Sequence, residues 1–419
     1  MPNCSFCGRP DNEVQKLVGK EGGPLICNRC VGSAAEALGQ QVREDKDEDK
    51  PVPNPREIMA HLDQYVIGQE SARKDVSVAI YKHFRRREAA AQNILLGTDL
   101  EDVEIEKSNI LMLGPSGTGK THIARAVARF LGLPFYVADA TKLTQAGYVG
   151  EDVETMLQGL VADAGGDIER AEWGVIVVDE FDKLCRKSGR GATGYRDVSG
   201  EGVQQALLRL VEGGVVMVPR KFSKVVASMG DSDPVDTTNI LFICMGSFAS
   251  GAKEVVTKRV NKDTSIGFGA KRRTKKDLDM AEIYSQVIEE DLLELGIIHE
   301  LAGRLPVLTS TLPLTEGEMF RILTEPKNAI AKQFQAQFAM DRMKLTFDDA
   351  AYRAIANEAI DGETGARALR RILERVLKPF VFQYAGKDSP IEALHITEDV
   401  VAGDQDKAIL TPVQKAATG

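Results

Sequence analysis

Eight consecutive residues, Gly114-Pro115-Ser116-Gly117-Thr118-Gly119-Lys120-Thr121, restrict the fold of this chain more than any other feature. They follow a short apolar run, residues 109–113, and precede a stretch with helical periodicity. Gly-x4-Gly-Lys-Thr between a strand and a helix is a phosphate-cradling loop. Its glycines let backbone N–H groups approach phosphate oxygens with no Cβ in the way. The helix N-terminus adds partial positive charge. Such a loop assigns Lys120 to the β- and γ-phosphates of a nucleoside triphosphate and the Thr121 hydroxyl to magnesium.

Three further apolar runs, 135–138, 175–178 and 240–244, are bounded by turn or polar residues and separated by helix-period stretches. That alternation predicts a parallel sheet wrapped by helices. The run Val175-Ile176-Val177-Val178 ends in Asp179-Glu180. Two acids closing a buried strand are costly unless they hold a cation or activate a reactant. Asp179 is the expected magnesium-side acid, and Glu180 the candidate general base for an attacking water. A strand-end acid can also act only as a helix cap, but the phosphate loop upstream favours ATP hydrolysis with Mg2+.

The 419 residues divide by composition into four regions. Residues 1–40 are short, Gly-rich and cysteine-bearing. Residues 41–56 mix both charge signs and then carry Pro51, Pro53 and Pro55, which reads as a solvated linker. Residues 57–312 form the expected large ATPase domain, and 313–419 a smaller, mostly helical one. An amphipathic helix opens at Gly365-Ala366-Arg367 and is expected to run at least to Leu377, just ahead of Pro379. A short strand is expected over 394–397.

Cys4-x2-Cys7 and Cys27-x2-Cys30 are separated by nineteen residues, the spacing of a zinc site. Four thiolates suit a closed tetrahedral Zn2+ that staples a segment too small to fold on its own core. Zinc modules of this kind also bind nucleic acid. Cys185 and Cys244 stand apart and read as small buried apolar residues. The net charge of −9 argues against a dedicated nucleic-acid binder, although a local basic patch is compatible with it. No stretch reaches the roughly 18 apolar residues of a membrane helix. The first residues show no basic start or apolar run before a cleavage site, so a cytoplasmic location is expected.

The phosphate loop, the Asp179-Glu180 pair and the helical C-terminal part resemble the AAA+ ATPases. Six segments bring the resemblance closer to the ClpX family, the unfoldase subunits of the Clp protease. They are Asp63-Gln64-Tyr65-Val66-Ile67-Gly68-Gln69, Ala146-Gly147-Tyr148-Val149-Gly150-Glu151-Asp152, Arg196-Asp197-Val198-Ser199-Gly200-Glu201-Gly202-Val203-Gln204-Gln205, Ile266-Gly267-Phe268-Gly269, Gly303-Arg304-Leu305-Pro306 and Thr364-Gly365-Ala366-Arg367. The resemblance runs from Cys4 to about residue 400.

It implies that Tyr65, Val66, Ile67 and Gly68 border the adenine. Arg304 would be an arginine finger reaching the γ-phosphate of a neighbouring subunit in a homohexamer ring, and Arg367 a sensor arginine for its own nucleotide. Gly147, Tyr148, Val149 and Gly150 resemble the pore loop that grips substrate. Ile266, Gly267 and Phe268, two apolar residues among basic ones, resemble the tripeptide that docks on the ClpP peptidase. The zinc module would capture substrates or adaptors. The implied partners are ClpP, unfolded or tagged proteins and adaptors. Two readings compete with an unfoldase feeding ClpP: a stand-alone chaperone, and a nucleic-acid remodeller using the zinc module and the basic residues around Ile266. The chain departs from the family in two places. Phe222 stands where a basic loop with Arg220 and Lys221 is expected to carry a histidine. Met245-Gly246-Ser247 differs from the family's small-residue pattern, leaving the sensor-1 role unassigned.

Overall fold

The computed structural model describes residues 3–10, 14, 17–19, 23–27, 29–31, 52–92, 98–100, 103, 105–144, 151–185, 200–219, 232–263, 278–362, 365–386 and 389–413. The chain divides into two compact units, Met1–Pro53 and Asn54–Gly419. In the first, strands Leu17–Gly19 and Leu25–Cys27 pair antiparallel. The Ser5 N–H donates to the Leu25 carbonyl at 2.7 Å, which ties the turn carrying Cys4 and Cys7 to the strand carrying Cys27.

The second unit is built on five strands: β1 (Ile110–Leu113), β2 (Phe135–Asp139), β3 (Val175–Asp179), β4 (Leu241–Gly246) and β5 (Val307–Ser310). They are parallel throughout, in the order β5-β1-β4-β3-β2. Helices α1 (Pro55–Leu62), α2 (Glu70–Gln92), α3 (Lys120–Leu131), α4 (Thr155–Asp163), α5 (Glu201–Glu212) and α6 (Ala249–Asp263) accompany the sheet. Successive strand residues face opposite sides, and each side has its own cover. Ile110, Val175, Val177 and Ile243 pack with Ile58, Val76, Ile123 and Val127 of α1, α2 and α3. Leu111, Ile176, Val178 and Cys244 pack with Met156, Leu160, Val203 and Leu207 of α4 and α5. A strand covered on both faces needs apolar residues at every position, which is why these strands read as unbroken apolar runs. Cys185 and Cys244 are buried in that core, as expected.

The four apolar runs correspond to β1 to β4. The fifth strand carries no such signal, because Thr309 and Ser310 follow Val307 and Leu308. It lies at the sheet edge, where a hydroxyl can find a partner: Thr309 Oγ1 donates to Asp75 Oδ2 at 2.6 Å.

Beyond β5 come α7 (Glu316–Thr324), α8 (Ile330–Met340), α9 (Asp349–Asp361) and α10 (Ala366–Tyr384). A small sheet of β6 (Lys344–Phe347), β7 (Ile391–Ile396) and β8 (Ile409–Pro412) joins them. These elements enclose a separate apolar core. The α10 helix buries Leu369, Ile372, Leu373, Val376, Leu377 and Phe380 at helical spacing. It extends through Pro379 to Tyr384 rather than stopping near it. Phe380 lies inside the core and Tyr384 packs against it, so burial outweighs the hydrogen bond that proline removes.

Two buried amides fix the loops around the sheet. Asn109, at the foot of β1, accepts from the Phe242 N–H at 3.1 Å and donates to the Arg304 carbonyl at 3.0 Å. Gln204 on α5 donates to the carbonyls of Leu184 and Gly296, both at 3.1 Å, and accepts from the Ile298 N–H at 3.0 Å. Replacing Asn109 with Ala leaves the buried Phe242 N–H without its acceptor. We expect a loss of about 1–3 kcal/mol of stability, read by urea unfolding.

Candidate nucleotide-binding site

Parallel strands put their C-terminal ends on one edge, and a ligand crevice forms where neighbouring connections leave in different directions. Here β1, β4 and β3 are adjacent, so Gly114, Gly246 and Asp179 end side by side. The crevice above them is a cleft of about 520 Å³. Ser116, Gly117, Gly119, Lys120 and Thr121 form one wall, and Asp179 and Glu180 another. Ala366, Arg367, Arg370 and Ile330 of the helical part close the cleft.

The phosphate loop needs its glycines for two reasons. Gly114, Gly117 and Gly119 have φ of 147°, 78° and 95°, which side chains rarely adopt. A Cβ on Gly114 would also lie 2.0 Å from Thr311 Oγ1. The Lys120 side chain folds back over the loop and donates to the carbonyls of Gly114 at 2.6 Å and Pro115 at 2.8 Å. Only 9% of it is exposed. Burial pushes the ammonium down to about 8, against the attraction of Asp179 and Asp182. The loop therefore holds a buried cation on carbonyl dipoles at the place where phosphate oxygens would serve it better.

Thr121 Oγ1 donates to Asp179 Oδ2 at 2.8 Å. This hydroxyl and carboxylate are oxygen donors of the kind a hard divalent cation takes, and they fit magnesium. Glu180 has a left-handed backbone (φ 56°, ψ 29°) and its N–H donates to Asp179 Oδ1 at 2.9 Å. A non-glycine residue in that conformation is strained. The turn it makes brings the exposed Glu180 side chain into the cleft lining.

Arg367 reaches the loop, with Nη1 3.5 Å from Ser116 Oγ. The backbone before it is pressed against the same loop: the Ala366 N–H donates to the Gly117 carbonyl at 3.0 Å. Gly365 (φ 59°) sits so close that a Cβ would come within 2.9 Å of the Gly117 and Ser116 backbone.

Other expected residues lie elsewhere. Arg304 is not among the residues lining this cleft. It caps the short helix His299–Gly303, and its guanidinium lies 3.5 Å from Glu212 Oε1 on an exposed face. Val66, Ile67 and Gly68 line a neighbouring cavity of about 690 Å³ with Arg73, Glu318 and Lys327. The Tyr65 carbonyl lies 3.3 Å from Nε2 of the cleft residue His122. The segments Gly147, Tyr148, Val149, Gly150 and Ile266, Gly267, Phe268 lie outside the described residues, as do Arg220, Lys221 and Phe222. Of the basic residues flanking Ile266, Lys258 pairs with Glu294 at 3.0 Å and Arg259 with the buried Asp291 at 2.9 Å.

The structure adds cleft residues that the sequence reading did not assign. Ser247, beyond the end of β4, lines the cleft, and its N–H donates to Asp182 Oδ1 at 3.0 Å. The hydroxyl of the buried Tyr284 donates to the Ser247 carbonyl at 2.6 Å. Arg370, one turn after Arg367, had a signal in its helical spacing. His122 and Asp182 sit one and two residues from recognised motifs, where adjacency was the only clue.

In the first unit the sulfurs of Cys4, Cys7, Cys27 and Cys30 lie within 4.8 Å of one another. Tetrahedral zinc with Zn–S of about 2.3 Å places its sulfurs about 3.8 Å apart, and Cys7 Sγ is 3.7 Å from Cys27 Sγ. The Cys27 N–H points at Cys4 Sγ at 3.2 Å. Backbone N–H donors, Cys7 first, bring Cys4 down to about 6. Cys30, sharing protons with Cys7 and crowded by the other thiols, is pushed up to about 12. Four mutually repelling sulfurs held this closely fit a divalent cation, which would hold all four as thiolates.

A phosphate loop, an acidic strand end and a helical part that contributes an arginine to one cleft define an AAA+ ATPase. Comparison agrees in each region. Residues 105–308 match the AAA domain (Cdc48 subfamily), 314–388 the C-terminal D2-small domain of ClpB protein, and 2–40 the ClpX C4-type zinc finger. The chain is 45% identical over 382 residues to the ATP-dependent Clp protease ATP-binding subunit ClpX of Treponema denticola, covering 91% of this chain and 89% of that one. It is 42% identical over 421 residues to the ATP-dependent Clp protease ATP-binding subunit ClpX 3 of Methylococcus capsulatus, covering 99% and 95%. The chain belongs to the ClpX family. No helix among the described residues is long and apolar enough to cross a membrane.

Serine cannot replace a thiolate ligand to zinc. The Cys27→Ser variant is expected to lose the metal, and strong chelation of the intact chain to release one zinc per chain. Metal analysis after gel filtration checks both.

Proposed function

We propose that this chain is an ATP-driven protein unfoldase and translocase that works as a homohexamer ring and feeds substrates to the ClpP peptidase. The observation that carries the reading is the meeting of Lys120, Thr121, Asp179, Glu180 and Arg367 around one cleft. The names of the two relatives, ATP-binding subunits of an ATP-dependent protease, support the rest.

Each residue then has a distinct task. Lys120 leaves the Gly114 and Pro115 carbonyls for the β- and γ-phosphates. Its buried charge is better matched by phosphate oxygens than by two carbonyl dipoles. Thr121 and Asp179 would hold Mg2+, which supplies charge neutralisation to the phosphates when bound. Glu180 takes the proton of the attacking water. The water oxygen bonds to the γ-phosphorus, the bond to the bridging oxygen breaks, and ADP and phosphate leave. Arg367 registers the nucleotide of its own chain through the helical domain. Arg304, outside its own cleft and paired with Glu212, acts on the γ-phosphate of the adjacent subunit, where a trans arginine stabilises developing charge.

Gly147, Tyr148, Val149 and Gly150 are assigned to the substrate grip, and Ile266, Gly267 and Phe268 to ClpP docking, both by resemblance. Tyr65, Val66, Ile67 and Gly68 are assigned to the adenine. The proposed domains are a zinc-binding module (1–40), a linker (41–56), a large ATPase domain (57–312) and a small domain (313–419), in a cytoplasmic protein. The ion pairs of Lys258 and Arg259 reduce the basic surface that nucleic-acid remodelling would need.

Glu180→Gln keeps the shape of the site and removes the base. It is expected to bind ATP while turnover falls by about 10²-fold or more. Mixed with Arg304→Ala subunits, it should partly restore ATPase activity, because some interfaces then join an intact base to an intact finger. Full activity of Glu180→Gln alone would remove Glu180 from the base role, and absence of rescue would remove Arg304 from the trans role.

A further inference from the structure

Thr311 has no part in the mechanism above, yet it is fully buried and touches the phosphate loop. It follows β5 and begins the connection to the helical domain. Its N–H donates to the Leu113 carbonyl at 2.8 Å. Its Oγ1 lies 2.6 Å from Thr118 Oγ1, inside the loop.

The protons of these two hydroxyls can be traced. Thr118 Oγ1 is 2.9 Å from the Pro115 carbonyl, whereas Thr311 Oγ1 is 3.4 Å from the Leu113 carbonyl. A hydroxyl has one proton, and a carbonyl only accepts. The better pair of bonds sends the Thr118 proton to Pro115 and the Thr311 proton to Thr118. Pro115 O is also the atom that receives Lys120 at 2.8 Å. A line of hydrogen bonds therefore runs from Thr311 through Thr118 to the carbonyl on which Lys120 rests.

The outer end of this line is anchored. Leu312, the next residue, exchanges two hydrogen bonds with the Gln69 side chain, its N–H donating to Oε1 and its carbonyl accepting from Nε2, both at 2.8 Å. Gln69 follows the Tyr65–Gly68 stretch and has a strained left-handed φ of 55°.

We propose that Thr311 is a positioning residue for the phosphate loop, fixing the loop backbone through Thr118 and the Pro115 carbonyl and so setting how tightly the loop takes a nucleoside triphosphate. This rests on the ATP-site reading above. It also means that the connection between the two domains is held by the same loop that binds phosphate.

The test compares Thr311→Val, which keeps the shape and removes the hydroxyl, with Thr311→Ser, which restores it. The intact chain and both variants are titrated with ATP and ADP, and steady-state ATPase is measured with thermal unfolding alongside. Thr311→Val should raise KM and the ATP dissociation constant about threefold to tenfold, as loss of one hydrogen bond predicts, with a smaller change in kcat. Thr311→Ser should return both toward the intact chain. Equal ATP binding by the intact chain and Thr311→Val overturns the proposal. So does a Thr311→Ser variant as weak as Thr311→Val, or a lowered melting temperature with no change in KM. Failure of the intact chain to bind ATP at all is a separate result, which overturns the nucleotide reading itself.

Discussion

A lysine ammonium withdrawn from water needs partners, and Lys120 rests on carbonyl dipoles of the loop that carries it. Most of the second unit is arranged around that fact. The loop cannot rise away from Lys120, because Thr311 packs against Gly114 on one side and Gly365 against Gly117 on the other. One restraint comes from the end of the sheet, the other from the start of α10. The cleft is therefore a joint between two apolar cores as well as a phosphate site.

The sheet order sets what else can reach that point. With β4 between β1 and β3, Asp179 stands two strands from the loop and Ser247 between them. Asn109 ties the foot of β1 to the backbone of Arg304, and Gln204 ties the segment after Glu180 to the residues leading into the Arg304 helix. Arg304 is thus held by backbone bonds to the sheet while its side chain remains at the surface.

The readable parts of the sequence were those where one position serves one demand. The phosphate loop, the strands β1 to β4 and the four-cysteine cluster each carry residues that few other structures require. The edge strand β5 escaped notice because Thr309 takes its partner from another element, which no local pattern records. Thr311 was invisible for the same reason: its partner lies 193 residues away. The end of α10 was open as well, since a proline near a helix end reads as a stop unless the burial of Phe380 is known. The adenine assignment of Tyr65 to Gly68 came from resemblance, and in this structure three of those residues line a cavity beside the cleft.

We propose that hydrolysis at this cleft is spent on pulling polypeptide. It is tested most directly with a stably folded fluorescent protein carrying an unstructured tail, mixed with the purified chain and no peptidase. Native fluorescence should be lost with ATP and retained with ADP. Brisk ATP hydrolysis with fluorescence unchanged would contradict it.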